Sequence, residues 1–237
     1  MQKFLNADQI KSFYHNFFVK QQFEDFKCIA FPLIKNSKVA VDIGGGCGYF
    51  ANAIHKELSL HLRVIDLDPV SVDTARNFGL EAEVGDALSP IKHGDEGVVC
   101  FNLILHHLVC VSDRETYSLQ RKALNIWRDT DTYLFVNEYI YESWFGNVSG
   151  WLIYQVTKNK ALSALGRMVA VILPSLNANT FGVGVRFRSN REWRRLFSDA
   201  GFQVVGQVKG NKELVSLPRR LLLIKEIRRD SFLLSSK

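Results

Sequence analysis

Cysteine, long apolar stretches and repeats are all scarce in this chain of 237 residues. Its four cysteines are too few for a disulfide framework, and three lie in apolar stretches where a thiol behaves as a small hydrophobe. The amino-terminal segment lacks the apolar core and cleavage site of a secretory signal. The uncharged stretch 168–185 is interrupted by Pro174 and several asparagines and glycines, which excludes a spanning helix. We therefore expect a cytoplasmic protein and leave contact with a membrane surface open.

Charge is divided unevenly along the chain. The composition, 47% hydrophobic and 23% charged, is typical of a folded globular protein, and the formal net charge is +6. Residues 1–150 carry 14 Lys and Arg against 19 Asp and Glu, a net −5, whereas residues 151–237 carry 16 against 5, a net +11. A uniformly basic nucleic-acid-binding protein would not show this division. We expect an acidic body with a basic, substrate-facing part and no nucleic-acid partner.

From Lys38 onward, short β-branched runs alternate with helix-like segments, which predicts an α/β fold. We expect a Rossmann-like, seven-stranded, mostly parallel sheet with helices on both faces. The predicted strands cover 39–43, 62–67, 81–85, 97–105 and 132–139, followed by FQVVGQV (202–208) and RRLLLIKEI (219–227). The predicted helices cover 49–58, 70–78, 115–127 and the segment SNREWRRLFSDAGF, which ends at Gly201.

Two segments fall outside this alternation and suggest four parts. Residues 1–37 are predicted to form a helical lid with an aromatic face, and residues 38–143 the cofactor-binding core. Residues 144–188 are too long for an ordinary connection and predict a helical cap, and residues 189–237 complete the core. Most apolar side chains of the cap are expected to pack onto the body, and as a set they predict a pocket with largely apolar walls. They are Trp144, Phe145, Trp151, Leu152, Ile153, Tyr154, Leu162, Leu165, Met168, Val169, Ile172 and Leu173.

The segment VDIGGGCGYF (41–50) carries the strongest chemical signal. A strand ends at Asp42 and runs through Gly44, Gly46 and Gly48 into a helix. Glycines there allow a sharp turn and close approach of a ligand. The spacing is not the dinucleotide G-x-G-x-x-G, and the preceding acid suits a ligand that carries an ammonium group.

Two further acids follow the next strands and complete a predicted nucleoside site. Asp66 ends the second strand, where a carboxylate can accept both ribose hydroxyls. Asp86 follows the third strand and is placed to accept from an adenine amino group, with Leu67 and Ala87 beside the ring. Each acid alone fits a helix cap or turn, but together they stand where ligands bind parallel sheets.

With these motifs the chain resembles the class I S-adenosylmethionine-dependent methyltransferases over 38–142 and 189–226. The resemblance rests on VDIGGGCGYF, VIDLDP, GDA and EWRRLFSDAGF. It implies S-adenosylmethionine as cofactor and no metal. It also implies that the three glycines border the methionine part of the cofactor and that Asp42 lies near its amino group. Asp66, with Asp68 as an alternative, would hold the ribose, and Asp86 with Ala87 would bind the adenine. Asn102 is also expected to contact the cofactor.

The ends of strands four and five carry the predicted reaction chemistry. NLILHHL (102–108) and LFVNEYIYE (134–142) look like the catechol-type and phenol-type O-methyltransferases, which implies His106 as general base and Glu138 as the acid that orients it. A second orienting acid of the plant enzymes is replaced here by Phe187. The alternative is a histidine pair that only packs.

The predicted function is methyl transfer to a small, largely apolar acceptor, with an anionic group left open, in natural-product biosynthesis. The expected acceptor contacts are Tyr14, His107, Tyr141, Arg186 and Arg188. One alternative is methylation of nitrogen or carbon, including that of peptide side chains. A nucleic-acid methyltransferase is a second alternative, which the sequence FNLI at the end of strand four disfavours. A third is a cofactor-binding fold without catalytic activity. Either a monomer or a homodimer is expected.

Overall fold

A computed structural model describes residues 18–34, 39–173, 176 and 180–237. The first 17 residues of the predicted helical lid (1–37), and Tyr14 among them, lie outside the described residues. The first described helix, α1 (Phe18–Ile29), precedes a 3-10 turn at Phe31–Leu33 and the first strand.

The predicted seven-stranded, mostly parallel sheet is confirmed. Its order is β3-β2-β1-β4-β5-β7-β6, and β7 is the one antiparallel strand of this sheet. The strands are β1 (Val39–Ile43), β2 (Leu62–Asp66), β3 (Glu81–Val84), β4 (Glu96–Asn102), β5 (Tyr133–Ser143), β6 (Phe202–Lys209) and β7 (Ile224–Ser236).

Helices cover both faces of the sheet. They are α2 (Tyr49–Leu58), α3 (Pro69–Asn77), α4 (Asp113–Asn125), α5 (Val148–Lys158), α6 (Lys160–Ile172), α7 (Asn190–Asp199) and the short α8 (Leu217–Arg220). One core joins α1, α2 and α3 through Phe26, Phe50 and Val72, and the other joins α4 and α7 through Leu124 and Trp193. Because both faces are covered, the central parallel strands are nearly continuous apolar runs.

The last strand lies later in the chain than predicted. RRLLLIKEI was expected to form it, but residues up to Leu223 belong to α8 and a turn, since Pro218 opens that helix. The strand instead includes RRDSFLLSS, whose charges hid it from a search for apolar runs. Arg228 and Asp230 are paired to each other within it, with Nε of Arg228 2.9 Å from Oδ1 of Asp230.

Strand β4 is shorter, and β5 longer, than predicted. Strand β4 ends at Asn102, because Leu103 adopts a positive φ of 55°, and a 3-10 turn follows at Leu105–His107. Strand β5 continues to Ser143 because β7 pairs with it along its length. The early end of β4 brings His106 back toward β5.

The cap contains a helical hairpin, α5 and α6, but its large side chains are oriented against expectation. Leu165 and Ile172 are exposed, and the buried positions of α6 are Ser163 and Ala170. The prediction that most of the twelve apolar side chains named in the cap pack onto the body is therefore wrong, since eight of them are exposed and Tyr154 alone is buried. No described helix is long and apolar enough to cross a bilayer.

Candidate active site

The loop after β1 leaves open space above one glycine. Gly44, Gly46 and Gly48 all have positive φ. A Cβ at Gly46 would meet no atom within 4 Å, whereas one at Gly44 would overlap Ile104. The amide of Gly46 donates to Oδ2 of Asp66 at 2.8 Å. Gly46 therefore presents bare backbone to a ligand, and Gly44 is required by packing.

Beneath this loop lie two acceptor oxygens that lack donors. Asp42 is buried, and its Oδ1 accepts from the amide nitrogen of Asn102 at 3.0 Å. Oδ2 of Asp42 and Oδ1 of Asn102 are also buried and have no hydrogen-bond partner among the described residues. Burial raises the pKa of Asp42 to about 7, the hydrogen bond from Asn102 opposes this, and Asp66 adds to it. A bound cation or donor here would relieve both oxygens.

Asp66 and Asp68 differ in what they already hold. Asp68 caps α3, accepting from the amides of Val70 and Ser71 at 3.2 and 3.1 Å. Asp66 accepts one amide at each oxygen, from Gly46 and from Asp68, which fixes its carboxylate at the end of β2 with lone pairs remaining. Of the two, Asp66 is the better placed to accept ribose hydroxyls.

The third acid stands in a turn after β3. Oδ1 of Asp86 accepts from the amide of Leu88 at 2.9 Å. This carboxylate therefore stabilises a turn, which is the role other than ligand binding that the sequence allowed. Ala87 is buried, while Leu67 is 67% exposed and projects from the end of β2. An exposed leucine and a buried alanine leave room for a flat apolar group beside the edge of the sheet.

His106 and Glu138 form a buried pair at the ends of β4 and β5. Nδ1 of His106 lies 2.7 Å from Oε2 of Glu138. Oε1 of Glu138 accepts from the amides of Leu105 at 2.7 Å and His106 at 3.3 Å, and Oε2 accepts from the amide of Tyr139 at 3.2 Å. Surrounded by donors, Glu138 holds the proton of His106 on Nδ1, which leaves Nε2 as the basic nitrogen.

Aromatic rings surround this histidine. The ring centroid of His106 lies 4.9 Å from that of Phe187 and 6.0 Å from that of Tyr139. Tyr141 stacks on Phe187 at 4.3 Å. Phe187 therefore lies against the ring of His106 and offers it no hydrogen-bond acceptor. Sequence reasoning missed Tyr139, because alternation along β5 places it on the face of the sheet opposite to Glu138.

A cavity of about 1070 Å³ lies beside these rings. Tyr139 and Tyr141 form part of its wall, and the rest comes from α1, the segment after β6, and Arg219 and Arg229. The lining contains five cations (Lys20, Lys209, Lys212, Arg219 and Arg229) and three acids (Glu24, Asp25 and Glu213). The cavity is thus aromatic on one side and cationic in balance.

Arg186 and Arg188 do not reach this cavity. They face the same way, as alternation predicts, but into the interior. Nε of Arg186 lies 2.7 Å from Oδ1 of Asp113, and Nη2 lies 2.9 Å from Oε1 of Glu192. The guanidinium of Arg188 lies over the ring of Tyr117 at 5.0 Å, and burial with the neighbouring Arg186 lowers its pKa to about 10. The expectation that these arginines face the acceptor is therefore wrong, because their partners belong to α4 and α7.

His107 is exposed at the mouth of the site, with its ring centroid 4.2 Å from that of His106. No group of His, Cys, Asp and Glu in the described part of the chain is arranged to hold a metal ion.

Comparison with solved structures defines the class of the fold. The MccD protein is 12% identical, with a TM-score of 0.63 over 92% of this chain and 97% of that one. Geranyl diphosphate C-methyltransferase from Streptomyces coelicolor A3(2), solved with Mg²⁺, geranyl diphosphate and S-adenosyl-L-homocysteine, is 11% identical, with a TM-score of 0.56 over 92% and 77% of the two chains. LepI in complex with SAM is 13% identical, with a TM-score of 0.54 over 98% of this chain and 53% of that one.

The fold is that of the class I S-adenosylmethionine-dependent methyltransferases. No protein-family model matches the sequence, and no curated protein matches it.

Proposed function

We propose that the protein is an S-adenosylmethionine-dependent methyltransferase. The observation that carries the proposal is the pair of buried acceptor oxygens on Asp42 and Asn102, beside a loop in which Gly46 has open space around its Cβ position. An α-ammonium group supplies the donors that these oxygens lack, and Asp66 would hold the ribose. The residues therefore fit the cofactor, which supplies an electrophilic methyl group on a sulfonium.

We infer a hydroxyl as the methyl acceptor. With Nδ1 held by Glu138, Nε2 of His106 can accept the hydroxyl proton as the oxygen attacks the methyl group. Glu138 stabilises the resulting imidazolium without leaving its backbone donors. Phe187 and Tyr139 exclude water from the ring of His106, so alignment and desolvation contribute together.

The cavity beside Tyr139 and Tyr141 is the proposed acceptor pocket. Its aromatic wall suits a largely apolar molecule. Its cationic balance suits an acceptor with a carboxylate or phosphate, and Lys20 and Lys209 take over the role that the sequence assigned to Arg186 and Arg188. Tyr139 links this pocket to the base, since its ring contacts that of His106.

Transfer to carbon is the second candidate. A neighbour of this fold is a C-methyltransferase crystallised with geranyl diphosphate, an apolar molecule with an anionic end, and the pocket here combines the same two chemistries. A carbon acceptor would use His106 to remove a proton from the methylated intermediate rather than from a hydroxyl.

A panel of acceptors separates these candidates. We expect formation of S-adenosylhomocysteine with para-hydroxybenzoate or a related phenolic acid, and a loss of about 100-fold in kcat for His106→Ala. His55→Ala, at an exposed position of α2, is the matched control and should stay within about threefold. Unchanged turnover in His106→Ala would overturn the base mechanism, and turnover with geranyl diphosphate but no hydroxyl would favour carbon.

A further inference from the structure

Helix α6 of the cap is packed through its small residues. Oγ of Ser163 donates to the carbonyl of Val156 at 2.7 Å. A Cβ at Gly166 would lie 2.7 Å from the ring of Phe181, and Ala170 is only 7% exposed. Ser163, Gly166 and Ala170 recur at helical spacing, so they define the face of α6 that the rest of the protein covers.

The opposite face of α6 is apolar and lies in solvent. Leu165, Met168 and Ile172 recur with the same periodicity and are 58%, 69% and 80% exposed. Val171, Leu162 and Val169 flank them and are also exposed. This arrangement reverses the usual order, in which large apolar residues face the core. A contiguous apolar face of this kind marks an interaction site.

Charge identifies what this face can meet. From Trp144 to Arg191 the sequence contains no aspartate or glutamate. Lys160 and Arg167 lie seven residues apart, on one edge of the exposed stripe of α6. The segment that carries this face therefore combines exposed apolar side chains with charge of one sign.

We propose that the exposed face of α6 binds the surface of an anionic lipid bilayer. An amphipathic helix with a basic edge lies in the interface with its apolar face among the acyl chains and its cations at the level of the headgroups. Helix α6 has 13 residues, or about 20 Å, so it lies on the bilayer and does not span it.

A second copy of the chain fits this face less well than anionic lipid. In an antiparallel pair of such faces, Arg167, near the middle of α6, would lie close to the same arginine of the other copy, with no carboxylate in the segment to offset the charge. Anionic headgroups satisfy the cations and acyl chains cover the leucine, methionine and isoleucine. The proposal is independent of the proposed methyl transfer, because it concerns the outer surface of the cap.

Vesicle flotation of the full chain tests the proposal without cofactor or acceptor. We expect binding to phosphatidylcholine vesicles that contain phosphatidylglycerol and little binding to phosphatidylcholine alone. The triple change Leu165→Ser, Met168→Ser, Ile172→Ser should lower the partition coefficient by at least about tenfold. The pair Lys160→Ser, Arg167→Ser should lower it by about 25-fold, or roughly fivefold for each cation, and high salt should have the same effect.

The matched control is Ile91→Ser, Val205→Ser, which removes exposed apolar residues elsewhere and should bind as the unchanged protein does. Absence of binding to the anionic vesicles would overturn the proposal, as would full binding by the triple variant. Sedimentation that shows a dimer of the unchanged chain and a monomer of the triple variant, with no vesicle binding by either, would assign the face to self-association instead.

Discussion

Asp42 shows how a proposed binding role competes with stability. The fold keeps this carboxyl in the interior next to Asn102, and burial raises its pKa to about 7. An unfolded chain ionises the same group near pH 4. Between pH 4 and pH 7 the carboxyl of Asp42 keeps its proton in the folded state but loses it in the unfolded state. The contribution of this group to the free energy of unfolding is therefore fully present below about pH 4 and is lost as the pH rises through about 7.

Asp42→Asn should therefore stabilise the protein without cofactor at pH 8, by roughly 2 to 4 kcal/mol, and change it little near pH 4. The asparagine keeps an oxygen that can accept from Asn102. Urea unfolding of both proteins at the two pH values measures the difference, with Asp73→Asn on the exposed surface of α3 as control. An equal difference at both pH values would show that Asp42 does not carry the buried charge.

At the scale of the elements, buried arginines join the cap segment to α4 and α7. Arg186 bridges Asp113 and Glu192, and Arg188 bonds Gln120 at 2.8 Å. Removal of one partner from a buried pair leaves the others without compensation. These arginines accordingly serve the assembly of the cap on the body.

Arg186→Gln should lower the free energy of unfolding by about 3 kcal/mol and leave the KM for an acidic acceptor within about twofold. Arg191→Gln, at an exposed position in the first turn of α7, should lower the free energy of unfolding by less than about 0.5 kcal/mol. Denaturant unfolding and initial rates measure the two effects. A stable Arg186→Gln protein with a strongly raised KM would restore the substrate role that the sequence suggested.

The sheet and the candidate cofactor site could be predicted from sequence for a common reason. Asp42, Asp66 and His106 each lie at or just after the end of a recognisable strand, and parallel strands end at one edge of the sheet. The proposed acceptor pocket offered no such rule, because it joins Lys20, Tyr139 and Lys209 from distant parts of the chain. The length of 144–188 likewise predicted a helical cap but could not say which face of α6 the body covers.

For the whole molecule, the division of charge has a different meaning from the one that the sequence suggested. Many cations of the carboxyl-terminal part are internal: Arg186, Arg188, Arg228 and Arg229 are buried, and each lies beside an acid. Other cations line the pocket, lie on the outer surface of the cap or are exposed on α7. The net +11 of residues 151–237 therefore combines structural pairs and solvent-exposed cations with a proposed acceptor site and a proposed lipid-binding face.

The central claim is that the carboxyl edge of the sheet holds S-adenosylmethionine, and calorimetric titration with S-adenosylhomocysteine tests it most directly. We expect one molecule bound per chain, an affinity lowered at least about tenfold in Asp66→Asn, and an affinity within about twofold of the unchanged protein in Asp68→Asn, where asparagine remains a good helix cap. No binding by the unchanged protein, or equal affinities in it and in Asp66→Asn, would contradict the account.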